Sequence, residues 1–254
     1  MIPMHGRTAD ISPLQDILER LRDPDHGCEW AVAQTFASIA PYTIEEAYET
    51  TDAIARNDLA ALKDELGDLL LQVVFHSRMA EEASAFDLTD VIEAICAKMI
   101  RRRPHILADA ATSPGWEAIK AAERMATGGD ESAMAGVALT LPALIRAEKL
   151  QKRAAMTGFD WDDIADVRSK LLEEIKELEN SSAPEEVHEE MGDLLFAAVN
   201  LARHHQINAE AALDAANRKF ERRFRAMEAM VGDAFAGLSA DEKEALWKRV
   251  KSAE

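Results

Sequence analysis

At 254 residues and a formal net charge of −18, the chain can bury one large core or two small ones, and it is too acidic for a general binder of nucleic acid. Its composition, 48% hydrophobic and 30% charged, is that of a folded protein, and its two cysteines, Cys28 and Cys96, supply neither a disulfide framework nor a zinc site. The opening MIPMHGRTADISP lacks the apolar run of a signal peptide, and no stretch approaches the roughly 18 apolar residues of a membrane span, so a reducing, cytoplasmic setting without membrane contact is expected.

No segment alternates β-branched and polar residues, so every element is expected to be helical. A proline before acidic residues in SIAPYTIEE predicts a helix start ahead of Ile44. The next helix carries DELGDLLLQVV, with Leu62, Leu66, Leu69, Leu70 and Val73 on one stripe. KMIRR follows, then Trp116 and Lys120. Gly-rich and small residues from Ala126 to Pro142 read as a linker, and its GGD has no phosphate-loop lysine after it. Beyond it, VRSKLLEEIKELEN reads as a helix, and SSAPEEV starts another at Pro184. That second helix carries Val187, Met191, Leu194, Leu195, Ala198 and Leu201 as its stripe.

The chain repeats itself. DELGDLLLQVV from Asp64 matches EEMGDLLFAAV from Glu189, an offset of 189 − 64 = 125. In the same order GCEW matches GFDW, IEEAYE matches LEEIKE, KMIRR matches KFERR, and Trp116/Lys120 match Trp247/Lys251. The reading is an all-α fold of two tandem homologous helical bundles of four or five helices each: residues 1–125, a linker at 126–142, and residues 143–254.

Carboxylates stand at unusual places in this pattern. Glu174 lies within the stripe of Val167, Leu171, Ile175 and Leu178 rather than opposite it. A carboxylate facing a core is costly unless it is paired or binds a metal. Glu177 is one turn on, and Glu190 and Asp193 border the stripe of the following helix. Four carboxylates from two helices make an all-oxygen site suited to Mg²⁺ or Mn²⁺. The first copy offers Glu46, Glu49, Glu65 and Asp68, though Thr43, Thr50 and Ala53 flank Glu46 in place of large apolar residues. Gly67 and Gly192 cost helix propensity, about 1 kcal/mol each, which implies that a helix or ligand approaches the backbone there. Lys219/Arg223 and Trp247/Lys251 pair at one-turn spacing and suit phosphate oxygens. Glu185 and His188 have the spacing of di-iron bundles but no counterpart in the first copy, so they read as a surface pair, and His204-His205 reads as a capping or solvated pair.

Taken together, Glu-Glu-x-x-Glu followed by Glu-x-x-Asp in two helical copies resembles the MazG-type nucleoside triphosphate pyrophosphohydrolases. GCEWAVAQTFASIAPYTIEEAYE, LQKRAAMTGFDW, EEMGDLLFAAVNLARH and NRKFERRF carry the resemblance, which covers nearly the whole chain. It implies hydrolysis of NTPs and dNTPs to a monophosphate and pyrophosphate, Mg²⁺ dependence, a homodimer, and a house-cleaning role. It implies Glu174, Glu177, Glu190 and Asp193 as metal ligands. Glu173, Glu174 and Glu177 would be catalytic, with Glu173 orienting the attacking water. Lys170, Lys219, Arg223, Trp247 and Lys251 would surround the nucleotide, Trp247 stacking on the base. Where some relatives have lysine, this chain has Glu186. The alternative is a catalytically silent metal- or nucleotide-binding module.

Overall fold

The computed structural model describes residues 9–107, 119, 123, 130 and 132–253. The expected positions Trp116 and Lys120, and most of the linker segment 126–131, lie outside the described residues. Among the described residues every regular element is a helix. Two compact units, residues 1–121 and 122–254, divide the chain.

The first unit contains α1 (Ser12–Leu21), α2 (Glu29–Ala33), α3 (Phe36–Ala55), α4 (Leu59–Glu82), α5 (Leu88–Arg102) and α6 (Pro104–Leu107). The second contains α7 (Ala143–Ala155), α8 (Ile164–Asn180), α9 (Pro184–His204), α10 (Ala209–Val231), a 3₁₀ turn at Gly232–Gly237 and α11 (Ala240–Ser252). The repeat is visible as two helical hairpins. α3 and α4 are joined through Arg56–Asp58, and α8 and α9 through Ser181–Ala183.

Local chemistry explains the boundaries. Asp58 caps α4 by accepting from the Ala60 and Ala61 amides, and Asp163 caps α8 by accepting from the Ala165 amide. Pro184 occupies the first turn of α9, where its missing N–H costs nothing. The expected start of α3 at the proline is overturned. A capping box between Thr35 and Ser38 begins that helix at Phe36, and Pro41 lies inside it. The reciprocal cap satisfies two free amides at once and outweighs one missing donor further in.

The core of the first unit gathers Leu18, Ile39, Val74, Phe75, Met79 and Leu88. In the second unit Met227, Leu246 and Val250 make a cluster between α10 and α11, while Val167, Ala197 and Val199 bury the α8–α9 hairpin. The glycines of GCEW and GFDW serve different needs. A Cβ on Gly27 would sit 2.4 Å from the Asp23 carbonyl oxygen, whereas Gly158 has φ +86°, open to glycine at little cost.

The apolar stripes do not face these cores. Leu66 is 50% exposed and Leu195 52%, and Leu70, Val73, Val187, Met191 and Ala198 are exposed as well. Each hairpin buries the neighbouring face of its second helix, at Val74 in α4 and at Ala197 and Val199 in α9; of the stripes, Leu62, Leu69, Leu194 and Leu201 are half-buried and the rest are left exposed.

Candidate metal and nucleotide site

Glu174 is 5% exposed, one of two buried residues in α8 with Val167. One oxygen from each of Glu174, Glu177 and Glu190 lies within 4.8 Å of the others, and Glu46, Glu49 and Glu65 do the same in the first copy. Asp193 and Asp68 stand one turn beyond Glu190 and Glu65 and fall outside these triads. Asp68 still acts on the first cluster. Burial first, then the charges of Asp68 and Glu49, push the Glu46 carboxyl above its usual range, and burial followed by Glu49 and Asp68 does the same to Glu65. Glu177 is raised by desolvation and by Glu174 and Glu173, against the opposing pull of Lys170.

Like charges this close are relieved either by a proton on one carboxyl or by a cation among them. In the second copy Lys170 is that cation. Its Nζ donates to Glu173 at 2.8 Å, meets Glu174 at 2.9 Å and reaches Glu177 at 4.0 Å. Those contacts, to Glu173 first and Glu174 second, raise the lysine far above its ordinary value.

The other cationic candidates form a separate cluster on α10 and α11. Arg223 sits 5.6 Å over the Trp247 ring, and Phe220 packs 5.5 Å from the same ring. Trp247 rests against the buried residues Met227, Leu246 and Val250. Lys219 and Lys251 are exposed on the same two helices.

A cavity of about 380 Å³ opens beside the second triad. Glu174, Lys170 and Asp193 line it at one side, and Phe159, Trp161, Met134, Phe196, Gln151 and Asn200 line the rest, with Asp160 and Arg203 also in its wall. The repeat flagged GFDW, but nothing in the spacing connected it to the distant Arg203. Arg203 donates to Asp160 from Nη1 at 2.9 Å and to Asn200 Oδ1 from Nε at 2.9 Å. His204 Nε2 lies 3.1 Å from Asp160, so this histidine joins the Asp160–Arg203 pair rather than a solvated helix end. His205 is exposed, as are Glu185 and His188.

Arg203 first, with the Trp161 amide and His204 assisting, holds the Asp160 carboxyl down at about 2. Because this folded value lies below the ordinary 3.8, the stabilisation is present above pH 4 and is lost as pH falls toward 2. Asp160→Asn is expected to cost about 2 kcal/mol near neutrality and to flatten the acid limb of the second unit's thermal stability. Unfolding scans from pH 7 to pH 2 measure both effects.

Gly67 and Gly192 have open space: a Cβ at either would meet nothing within 4 Å. The expected close approach of a helix is therefore not met within the chain, and the space remains for a ligand or a second copy. Gly192→Ala is expected to stabilise α9 by roughly 0.5–1 kcal/mol. A raised melting temperature with lowered turnover would identify the open space as the reason for the glycine; raised stability with unchanged turnover would remove any role for it.

Comparison with known proteins bears on this geometry. The MazG nucleotide pyrophosphohydrolase domain matches residues 34–107 and 164–227, which contain the two carboxylate triads. The chain is 48% identical over 258 residues to the nucleoside triphosphate pyrophosphohydrolase of Escherichia coli strain K12, spanning 96% of this chain and 98% of that one. It is 43% identical over 247 residues to the Thermotoga maritima protein named nucleoside triphosphate pyrophosphohydrolase/pyrophosphatase MazG, spanning 94% of each. The chain is an enzyme, and it belongs to the MazG nucleotide pyrophosphohydrolase family.

Proposed function

We propose that the chain hydrolyses nucleoside triphosphates, NTPs and dNTPs alike, to a monophosphate and pyrophosphate, and that the second copy carries the chemistry. The observation behind this reading is the burial of Glu174 in a carboxylate triad that borders an open cavity. In the first copy Glu46 is only half-buried. The 125-residue offset sets Phe75 where the second copy has Asn200, since 200 − 125 = 75. Phe75 is buried, with Trp30 packed edge-on at 6.4 Å and the Arg22 guanidinium 5.3 Å from its ring. In the second copy the matching Asn200 lines the cavity beside the triad.

Oxygen donors alone, crowded enough to raise Glu177, fit a hard divalent cation. Glu174, Glu177, Glu190 and Asp193 would hold Mg²⁺, with Mn²⁺ as a substitute. Bound there, the ion supplies neutralisation of the triphosphate's charge and a Lewis-acid contact. Glu173, exposed and hydrogen-bonded to Lys170, is suited to orient a water and take its proton. Lys170, held on Glu173 and Glu174, stands beside the site, where its ammonium would meet phosphate oxygens of a bound triphosphate. Lys219, Arg223 and Lys251, with Trp247 beneath Arg223, would stabilise the departing pyrophosphate. The exposed residues of these stripes, Leu66, Leu70 and Val73 in α4 and Val187, Met191 and Leu195 in α9, support a homodimer, because large apolar residues grouped on one helix face mark interaction surfaces. No helix among the described residues is long and apolar enough to cross a membrane. Cys28 and Cys96 are free and exposed, which suits a reducing cytoplasm, where we place the enzyme in a house-cleaning role.

Stripping the protein with EDTA is expected to abolish pyrophosphate release from every NTP and dNTP, and Mg²⁺ or Mn²⁺ to restore it. Full activity after chelation would reject the metal; no release from any nucleotide with the metal bound would favour the silent binding module.

A further inference from the structure

We infer that the first copy holds a resident divalent cation between α3 and α4, bound without nucleotide and serving structure rather than turnover. Glu46, Glu49 and Glu65 supply the charge, and water on the metal meets Thr50 and Gln72. The inference stands apart from the hydrolysis reading, which gives this copy no chemistry.

A difference between the copies is the first argument. IEEAYE and LEEIKE are 172 − 44 = 128 residues apart, which sets Tyr42 where the second copy has Lys170, since 170 − 128 = 42. In the second copy the lysine ammonium already meets Glu173 and Glu174. A phenol offers no positive charge in its place, and the Tyr42 ring packs edge-on to Trp30 at 6.1 Å. The basic residues of the α3–α4 hairpin are engaged elsewhere: Arg56 with Asp52 and Asp58, Lys63 with Asp64, and Arg78 with Glu81 and Glu82. His76 lies 3.3 Å from Thr43 Oγ1 and stacks on Phe36. The first triad therefore has three carboxylates within 4.8 Å and no counter-ion from its own hairpin.

Carboxylates alone do not identify a ligand. The second and independent argument is a pair of orphaned oxygens beside them. Thr50 and Gln72 are 9% and 8% exposed, and neither Thr50 Oγ1 nor Gln72 Oε1 has a hydrogen-bond partner. Thr50 stands one turn after Glu46, and Gln72 one turn after Asp68 and two after Glu65. Helical side chains lean toward the N-terminal end of their helix, so these two lean back toward the carboxylates, one from α3 and one from α4. A buried acceptor left unpaired is costly. The matching residues of the second copy are Leu178 and Ala197, since 178 − 128 = 50 and 197 − 125 = 72. The polar pair is particular to the copy that lacks the lysine.

One ligand meets both needs. A hard divalent cation neutralises the carboxylates, and Mg²⁺ keeps several of its waters. Water on a cation is a strong donor, and Thr50 Oγ1 and Gln72 Oε1 are acceptors. The ion would tie the hairpin together, because Glu46 and Glu49 come from α3 and Glu65 from α4. In the second copy the Lys170 ammonium opposes an arriving ion, so without nucleotide that site binds more weakly.

The test is a titration of the metal-free full chain with Mn²⁺ in the absence of nucleotide, read by the EPR signal of the free ion. Wild type is expected to bind one ion per chain at least about tenfold more tightly than a second. Glu46→Gln and Tyr42→Lys should each lose the tight site, the lysine by supplying the missing charge. Lys170→Met should keep it and gain a second of similar affinity. Gln72→Leu should weaken it by about threefold or more. Thermal unfolding without metal checks that each variant folds. Tyr42→Lys is expected to melt above wild type there, which separates a lost ion from a lost fold. A tight site that survives Glu46→Gln or Tyr42→Lys, one indifferent to Gln72→Leu, one lost in Glu174→Gln instead, or no Mn²⁺ bound until a nucleotide is added would each overturn the inference.

Discussion

Replacing Glu174 with glutamine is expected to lower kcat for pyrophosphate release by about a thousandfold, because a bound metal contributes several kcal/mol to the transition state and each tenfold in rate is worth about 1.4 kcal/mol. Glu174 is the most buried of the second triad and shares oxygens with Glu177 and Glu190 within 4.8 Å. The glutamine keeps its shape and removes one of several repelling charges. Lys170 keeps Glu173 as a partner, so no buried cation is stranded. The melting temperature should therefore hold while turnover collapses. Glu46→Gln, the matching change in the first copy, is expected to leave turnover within about twofold, as a site that takes no part in the chemistry should. A collapse in Glu46→Gln alone would transfer the chemistry to the first copy, and partial losses in both would mean two working sites.

Leu195→Asp is expected to dissociate the proposed homodimer. Leu195 lies at the centre of the uncovered stripe of α9, with Met191 and Ala198 beside it. Burying a leucine contributes roughly 1.5–3 kcal/mol, and a two-fold interface counts each change twice. Adding the cost of a buried carboxylate, the dissociation constant should rise by at least about a hundredfold. Analytical ultracentrifugation across a concentration series reads this directly. A wild type that sediments as a monomer at all concentrations, or a variant that stays dimeric, would show that the stripe has another purpose.

The sequence revealed the fold class and the carboxylates for the same reason: both are periodic. Glu174 could be recognised as buried because Val167, Leu171 and Leu178 fix the inward face of α8, and the repeat carried the pattern to Glu46, 174 − 46 = 128 residues earlier, and to Glu65, 190 − 65 = 125 residues before Glu190. Competition between signals was harder to read. Pro41 looked like a helix start, but the cap formed by Thr35 and Ser38 lies further upstream and prevails. The stripes were recognised as apolar, yet periodicity alone does not say whether an apolar face meets its own core or another surface; Leu66 and Leu195 face away from their cores. The cavity was the least visible part. It depends on Asp160 meeting Arg203 from 43 residues away, and on Gln151 reaching the backbone at Phe196, 45 residues distant. Contacts of that range leave no periodic trace in one sequence.

The most direct test of the central claim is product analysis by ³¹P NMR during turnover of a dNTP with Mg²⁺ by the wild-type protein. Nucleoside monophosphate and pyrophosphate appearing in equal amounts is the expected result. Nucleoside diphosphate with orthophosphate, or an unchanged triphosphate in the presence of bound metal, would contradict it.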